Sequence, residues 1–143
     1  MKNAPVGEDR IARLIDVSEE NLYIGLGKLL FVEEALKAEI PEADVLIEGT
    51  IELQPKSILY YIEYAKQFLD DNQTMLFDAI CIKWDFCEKK NDPEFSDNIT
   101  IVTSLIDIIA TVLFHSPLVI TTVAVILTKK GLSSFCNCPK SVP

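Results

Sequence analysis

The chain has 143 residues and a formal net charge of −9, with 49% apolar and 24% charged residues. That length fits one domain able to bury a core, and the balance of apolar and charged residues excludes a largely disordered chain. The acidic charge excludes extended contact with a nucleic-acid backbone and disfavours adsorption to anionic lipid.

The opening MKNAPVGEDR has no apolar stretch of the kind a secretory signal needs. The expected location is therefore cytoplasmic, with membrane association left open by the tail described below. Cys81, Cys87, Cys136 and Cys138 are expected as reduced thiols. The glycosylation patterns at Asn72 and Asn98 carry little weight without a signal.

Ile11, Leu14 and Ile15 predict a short amphipathic helix. Ser18 is a good N-cap for a second, with Glu19 and Glu20 in its first turn and Leu22, Leu26, Leu29, Leu30, Leu36 and Ile40 as its apolar stripe. Ile24-Gly25-Leu26-Gly27-Lys28 lies inside this helix. It lacks the earlier glycine and the Ser or Thr of a phosphate loop, and a helix interior has already used its backbone N–H groups. The two glycines are expected to admit a neighbouring helix. Residues 42–54 predict helix and loop, because Glu48-Gly49 is a poor hairpin turn.

Pro55 predicts a helix start, with Ile58, Ile62, Ala65 and Leu69 as the stripe. Tyr60, Tyr61, Tyr64 and Phe68 cover more than one face of that helix, so some are expected outside the core as an interface. Thr74 is expected to cap a further helix, with Leu76, Ile80, Trp84 and Cys87 on one side and Phe77 and Cys81 widening it. A polar stretch from Glu88 to Asn98 reads as an exposed linker.

Between Ile99 and Thr128 only Asp107 and His115 are ionisable. The uncharged run from Ile108 to Thr128 is long enough, at ~32 Å as helix, to span a bilayer. His115-Ser116-Pro117 interrupts it, with Ser116 as N-cap and Pro117 as first helical residue. Two helices result, one from Ile99 to Phe114 and one from Pro117 to Lys130, of ~24 and ~21 Å. Gly131 suits the end of the second, with Lys129 and Lys130 against its dipole. The hairpin is either a core wrapped by the amphipathic helices or a unit that enters lipid. In architecture it resembles pore-forming colicin domains, though no residue carries a family signature.

The cysteine spacings, Cys81-x5-Cys87 and Cys136-x-Cys138, do not fit the usual zinc pattern and leave the four as weak metal candidates. A disulfide from Cys136 or Cys138 to the helix is the competing reading. His115 is expected to be a turn residue, with a pH-sensing role under the membrane reading. No nucleophile stands in a recognisable motif, and Glu33-Glu34 and Asp70-Asp71 read as solvated faces.

The expected fold is all-α: a single helical domain over 1–143, a bundle of five to six helices with a central hydrophobic hairpin near the C-terminus. Residues 1–90 form the amphipathic helices, 91–98 the polar linker, 99–130 the hairpin and 131–143 a cysteine-containing tail. The expected function is a non-enzymatic intracellular interaction module that docks a protein partner or self-associates, with no cofactor, nucleic acid or small-molecule substrate. The alternative is a membrane-active or membrane-anchored effector.

Overall fold

The computed structural model describes residues 7–37 and 57–139. The helix and loop expected over 42–54, the helix start at Pro55, Ile40 and the last four residues of the tail lie outside them. The fold is all-α, with eight α-helices and no strand among the described residues.

Helix α1 is Glu8–Ile15 and α2 is Glu19–Lys37. Ser18 begins α2 by accepting a hydrogen bond from the Asn21 N–H at 3.1 Å. Helix α3 is Ile58–Asp71, capped by Ser57, whose hydroxyl accepts from the Tyr60 N–H. Short α4, Gln73–Phe77, continues into a π-helical segment, Asp78–Lys83. Single-turn α5, Phe86–Lys89, and a 3₁₀ turn, Pro93–Phe95, follow. Helix α6 is Asn98–Ala110, capped by Asp97, and α7 is Pro117–Lys130. Single-turn α8, Leu132–Phe135, completes the set. Helix α4 and the π segment stand where the helix from Thr74 is expected, and the single-turn pieces α5 and α8 are additional.

The core is organised around α7. Its nine residues from Val119 to Leu127 are all buried. It packs against α1, α2, α6 and α8. Each neighbour contributes apolar side chains: Ile11 from α1, Leu26 and Leu30 from α2, Val102, Leu105 and Ile109 from α6, and Leu132 from α8. A helix apolar on every side can be accommodated only by such a sheath or by lipid. Among the described residues no helix is long and apolar enough to cross a membrane.

Threonine hydroxyls inside this apolar layer turn back on their own helices, Thr122 to the Leu118 carbonyl and Thr128 to that of Ala124. Thr121 is the exception: its hydroxyl is fully buried without a hydrogen-bond partner. At the end of α7, Gly131 adopts φ 105°, a conformation that favours glycine. Lys129 reaches out of the helix end to donate to the Ile15 carbonyl at 2.6 Å, satisfying an acceptor that the C-terminus of α1 leaves open.

Helix α3 packs on α2. On one flank of α3, Tyr60 meets the α2 residue Phe31 and Phe68 meets the turn at His115. Its other flank carries Lys66 to Tyr23, further towards the start of α2. The close approach is at Gly27. A Cβ there would lie 2.8 Å from Tyr61 Cα, inside contact distance, whereas a Cβ on Gly25 would meet nothing within 4 Å among the described residues. The expectation that both glycines admit a neighbour therefore holds for Gly27 and is corrected for Gly25. The first turn of α3 is left largely in water. Ile58, expected on the apolar stripe, is 58% exposed.

Three further expectations are corrected. The helix expected to run through Cys87 breaks at Trp84-Asp85, where Asp85 takes φ 60°. The π segment before it closes with the Trp84 N–H on the Ala79 carbonyl, at i→i+5 spacing. The helix expected to reach Phe114 stops at Ala110, where the Thr111 hydroxyl bonds the Ile108 carbonyl and the Leu113 N–H bonds that of Ile109. The cysteines are not reduced: Cys81 pairs with Cys136 and Cys87 with Cys138, with Cα atoms 5.3 and 5.4 Å apart. Each closes a long loop, for which the chain-entropy model gives about 4 kcal/mol for the first and less for the second, since the loops overlap.

The two glycines generate substitutions of opposite sign. Gly27→Ala forces α2 and α3 apart and is expected to cost about 1–3 kcal/mol. Gly25→Ala, with open space and better helix propensity, is expected to gain about 0.5–1 kcal/mol. Urea melts of the two variants check this: both midpoints moving the same way contradicts the close approach at Gly27.

Candidate functional site

The turn between α6 and α7 carries Phe114, His115 and Pro117 of the residues singled out in the sequence, with Phe68 against it. Residues 111–116 leave α6 and re-enter helix at Pro117, with the Ser116 hydroxyl accepting from the Val119 N–H at 3.4 Å. Such a turn exposes backbone N–H groups that its own helix cannot satisfy. One is met from elsewhere: the Glu33 carboxylate accepts from the Ser116 N–H at 2.7 Å. Its other oxygen meets His115 Nδ1 at 2.5 Å. A carboxylate only accepts, so that ring nitrogen carries the proton. Glu33 thus holds the turn with both oxygens from 82 positions earlier in the chain.

Both side chains are about three-quarters buried, 21% exposed for His115 and 24% for Glu33. Burial pushes the Glu33 carboxyl up, but the hydrogen bonds from His115 and the Ser116 N–H and the charge of His115 outweigh it, so the group is held below the usual carboxylate range. The His115 ring also stands edge-on to Phe68, with centroids 5.1 Å apart. Beyond Phe68, Tyr64 has its hydroxyl pushed up by burial and by the carboxylates of Glu34 and Glu33.

The four aromatic residues expected as an interface are brought together, but largely inward. Tyr60, Tyr61 and Phe31 form a mutually perpendicular trio with centroids 5.5–6.3 Å apart, and Tyr64 leans on Tyr60 at 5.8 Å. Tyr61, Tyr64 and Phe68 are half-buried, and only Tyr60 is classed as exposed. The aromatic cluster is therefore mainly the packing that seats α3 on α2, with Tyr60 at its outer edge.

The turn itself is the more open feature. Phe114 is 87% exposed, and Leu118, one helical turn further on, is also exposed. Beside them lies a shallow depression of about 580 Å³ floored by Ala110, Leu113 and Ile120 and edged by Glu33 and His115. Pro117 is exposed at its start. Asp107 lies on the exposed side of α6, and Lys129 and Lys130 are at the opposite end of α7. The disulfides remove all four cysteines from metal binding, because a sulfur in a disulfide is not the thiolate that a metal takes. Among the described residues no group of three or more His, Cys, Asp or Glu side chains is placed to hold a metal ion.

Sequence reasoning placed His115, Ser116 and Pro117 at a turn, and missed Glu33. The only signal available was an acidic residue two positions after the aromatic Phe31, which does not distinguish a capping carboxylate from a solvated one. No family model, curated protein or solved structure matches the chain.

Glu33 generates a pH dependence. Its carboxyl is held lower in the folded state than in the unfolded chain, so its contribution is complete above the ordinary carboxylate value of 4.5 and is lost as pH falls through the lowered folded value. Glu33→Gln is expected to cost about 1–2 kcal/mol at pH 7 and progressively less towards pH 3. Denaturant melts of both proteins across that range check it; a difference that stays constant with pH contradicts the ionised contact.

Proposed function

We propose that the chain is a non-enzymatic interaction module that self-associates or docks a protein partner through the α6–α7 turn. One observation carries the reading: Phe114 stands 87% exposed between two helices whose other large side chains are mainly turned inward. A large aromatic left in water at a turn held by Glu33 is a pre-organised anchor, and aromatic anchors supply much of the energy of interfaces. The adjoining depression gives a partner side chain an apolar seat. The architecture proposed for this role is a helical bundle with α6 and α7 as its central hairpin.

The same exposed Phe114 and Leu118 favour, as the second reading, shallow insertion of the turn into a membrane surface. The net charge of −9 points such contact to zwitterionic and not anionic lipid. The disulfides support a workplace where thiols stay oxidised, in place of the cytoplasmic location expected from the sequence. That location is part of the proposal.

Light scattering after size exclusion, on the wild type and Phe114→Ser, tests the function together with flotation on phosphatidylcholine vesicles. The module reading expects association that rises with concentration, or with an added partner, and that Phe114→Ser weakens at least tenfold. Flotation lost in Phe114→Ser, with the protein monomeric throughout, would favour the membrane reading. Association unchanged by Phe114→Ser would overturn the assignment of the turn as the interface.

A further inference from the structure

At the end of the molecule away from the turn, a second cleft of about 490 Å³ opens between α2, α3 and the end of α7. Its volume is in the range of small-molecule clefts, roughly 300–1,000 Å³. The lining is divided by chemistry. Leu76, Leu127 and Phe135 are apolar, and the nearly buried ring of Tyr23 lies among them. Two ammonium groups converge on that ring from separate helices, Lys66 of α3 at 5.4 Å from its centroid and Lys130 of α7 at 6.0 Å.

This convergence is unusual for the local sequence. Lys66 stands three residues after Glu63 and four before Asp70, the spacings at which helical ion pairs form. Among the described residues it pairs with neither and turns instead to Tyr23. Lys130 likewise has no carboxylate within ion-pair distance among the described residues. Cation–ring attraction at exposed sites is worth only about 0.5–1 kcal/mol each, and the two ammoniums repel one another. Because both lysines line the cleft, an anion inside it is attracted by both. Gln67 is not available to such a guest, because its amide donates to Asp71 at 2.8 Å.

We propose that this cleft binds a small amphipathic anion: an apolar body seated on Leu76, Leu127 and Phe135, carrying one carboxylate or phosphate held between Lys66 and Lys130. Glu63 and Asp70 at the rim set the polarity of entry, excluding a second negative group from the outer side. The site is independent of the α6–α7 turn and of the function proposed for it.

Titration of the whole chain with phenyl phosphate and phenylacetate, followed by calorimetry or amide NMR, tests the site, with inorganic phosphate and benzylamine as comparison probes. At least one organic anion is expected to bind and to shift the resonances of Tyr23 and Leu127. The Lys66→Gln/Lys130→Gln double variant is expected to weaken it roughly tenfold or more, since two charge-assisted contacts are lost. Both lysines are exposed, so these variants should keep the fold, which a thermal melt verifies. Inorganic phosphate is expected to bind roughly tenfold more weakly than phenyl phosphate, for want of an apolar body. The proposal is overturned if neither organic anion binds at millimolar concentration, if the double variant binds equally well, if inorganic phosphate binds as tightly, or if benzylamine binds more tightly than either anion.

Discussion

Helix α7 presents apolar surface on every side, and the protein has to keep water from all of it. Val119 to Leu127 are buried without interruption, and each fully buried aliphatic side chain among them contributes about 1.5–3 kcal/mol. No single amphipathic helix can cover a full cylinder. The chain answers with α1, α2, α6 and α8 placed around it. The remaining features follow from holding that sheath closed. Lys129 fastens one end of α7 to α1, and Glu33 fastens the other to α2. The two disulfides tie the segment after α8 back to the π segment and α5, so the C-terminal part of the cover stays attached.

The same constraint explains where polar groups stand. Glu33 reaches a turn whose backbone N–H would otherwise be half-buried and unmet, a cost of about 1–3 kcal/mol. Thr122 and Thr128 are accommodated because helix carbonyls lie within reach. Among the described residues Thr121 carries a buried hydroxyl without a partner, and nothing in the packing explains its choice over valine. At the two ends of α7 the cover thins. One end leaves Phe114 and Leu118 in water, and the other leaves the cleft at Tyr23. The binding surfaces proposed for this protein therefore lie where the sheath is incomplete.

What the sequence made legible was local. Ser18, Ser116-Pro117 and Gly131 mark helix ends because capping needs only the adjacent backbone. The uncharged run from Ile108 to Thr128 marked α7 as unusual because burial or lipid is the only stable setting for it. What stayed hidden was non-local. Glu33 and Ser116 are 83 positions apart, and no periodicity links them. The break at Asp85 depends on a left-handed residue and a π segment whose neighbours are cross-linked to the tail, so the regular apolar spacing through Cys87 misled. The aromatic residues of α3 exceed one helical face, which places some of them outside the core, as Tyr60 is, without saying what the others pack on. Their partners come from two elements, Phe31 of α2 for Tyr61 and the turn residue His115 for Phe68, which is why more than one face of α3 is half-buried. Gly27 and Gly25 look alike in sequence; only the close approach of α3 separates them.

Native-state hydrogen exchange along α7 tests the central role of that helix most directly. The amides of Val123, Ala124 and Val125 should exchange only through global unfolding, with the same denaturant dependence as the whole molecule and with protection above that of α3. Exchange of those amides through a small local opening, faster than in α3, would show that α7 is not the buried centre and would contradict the account.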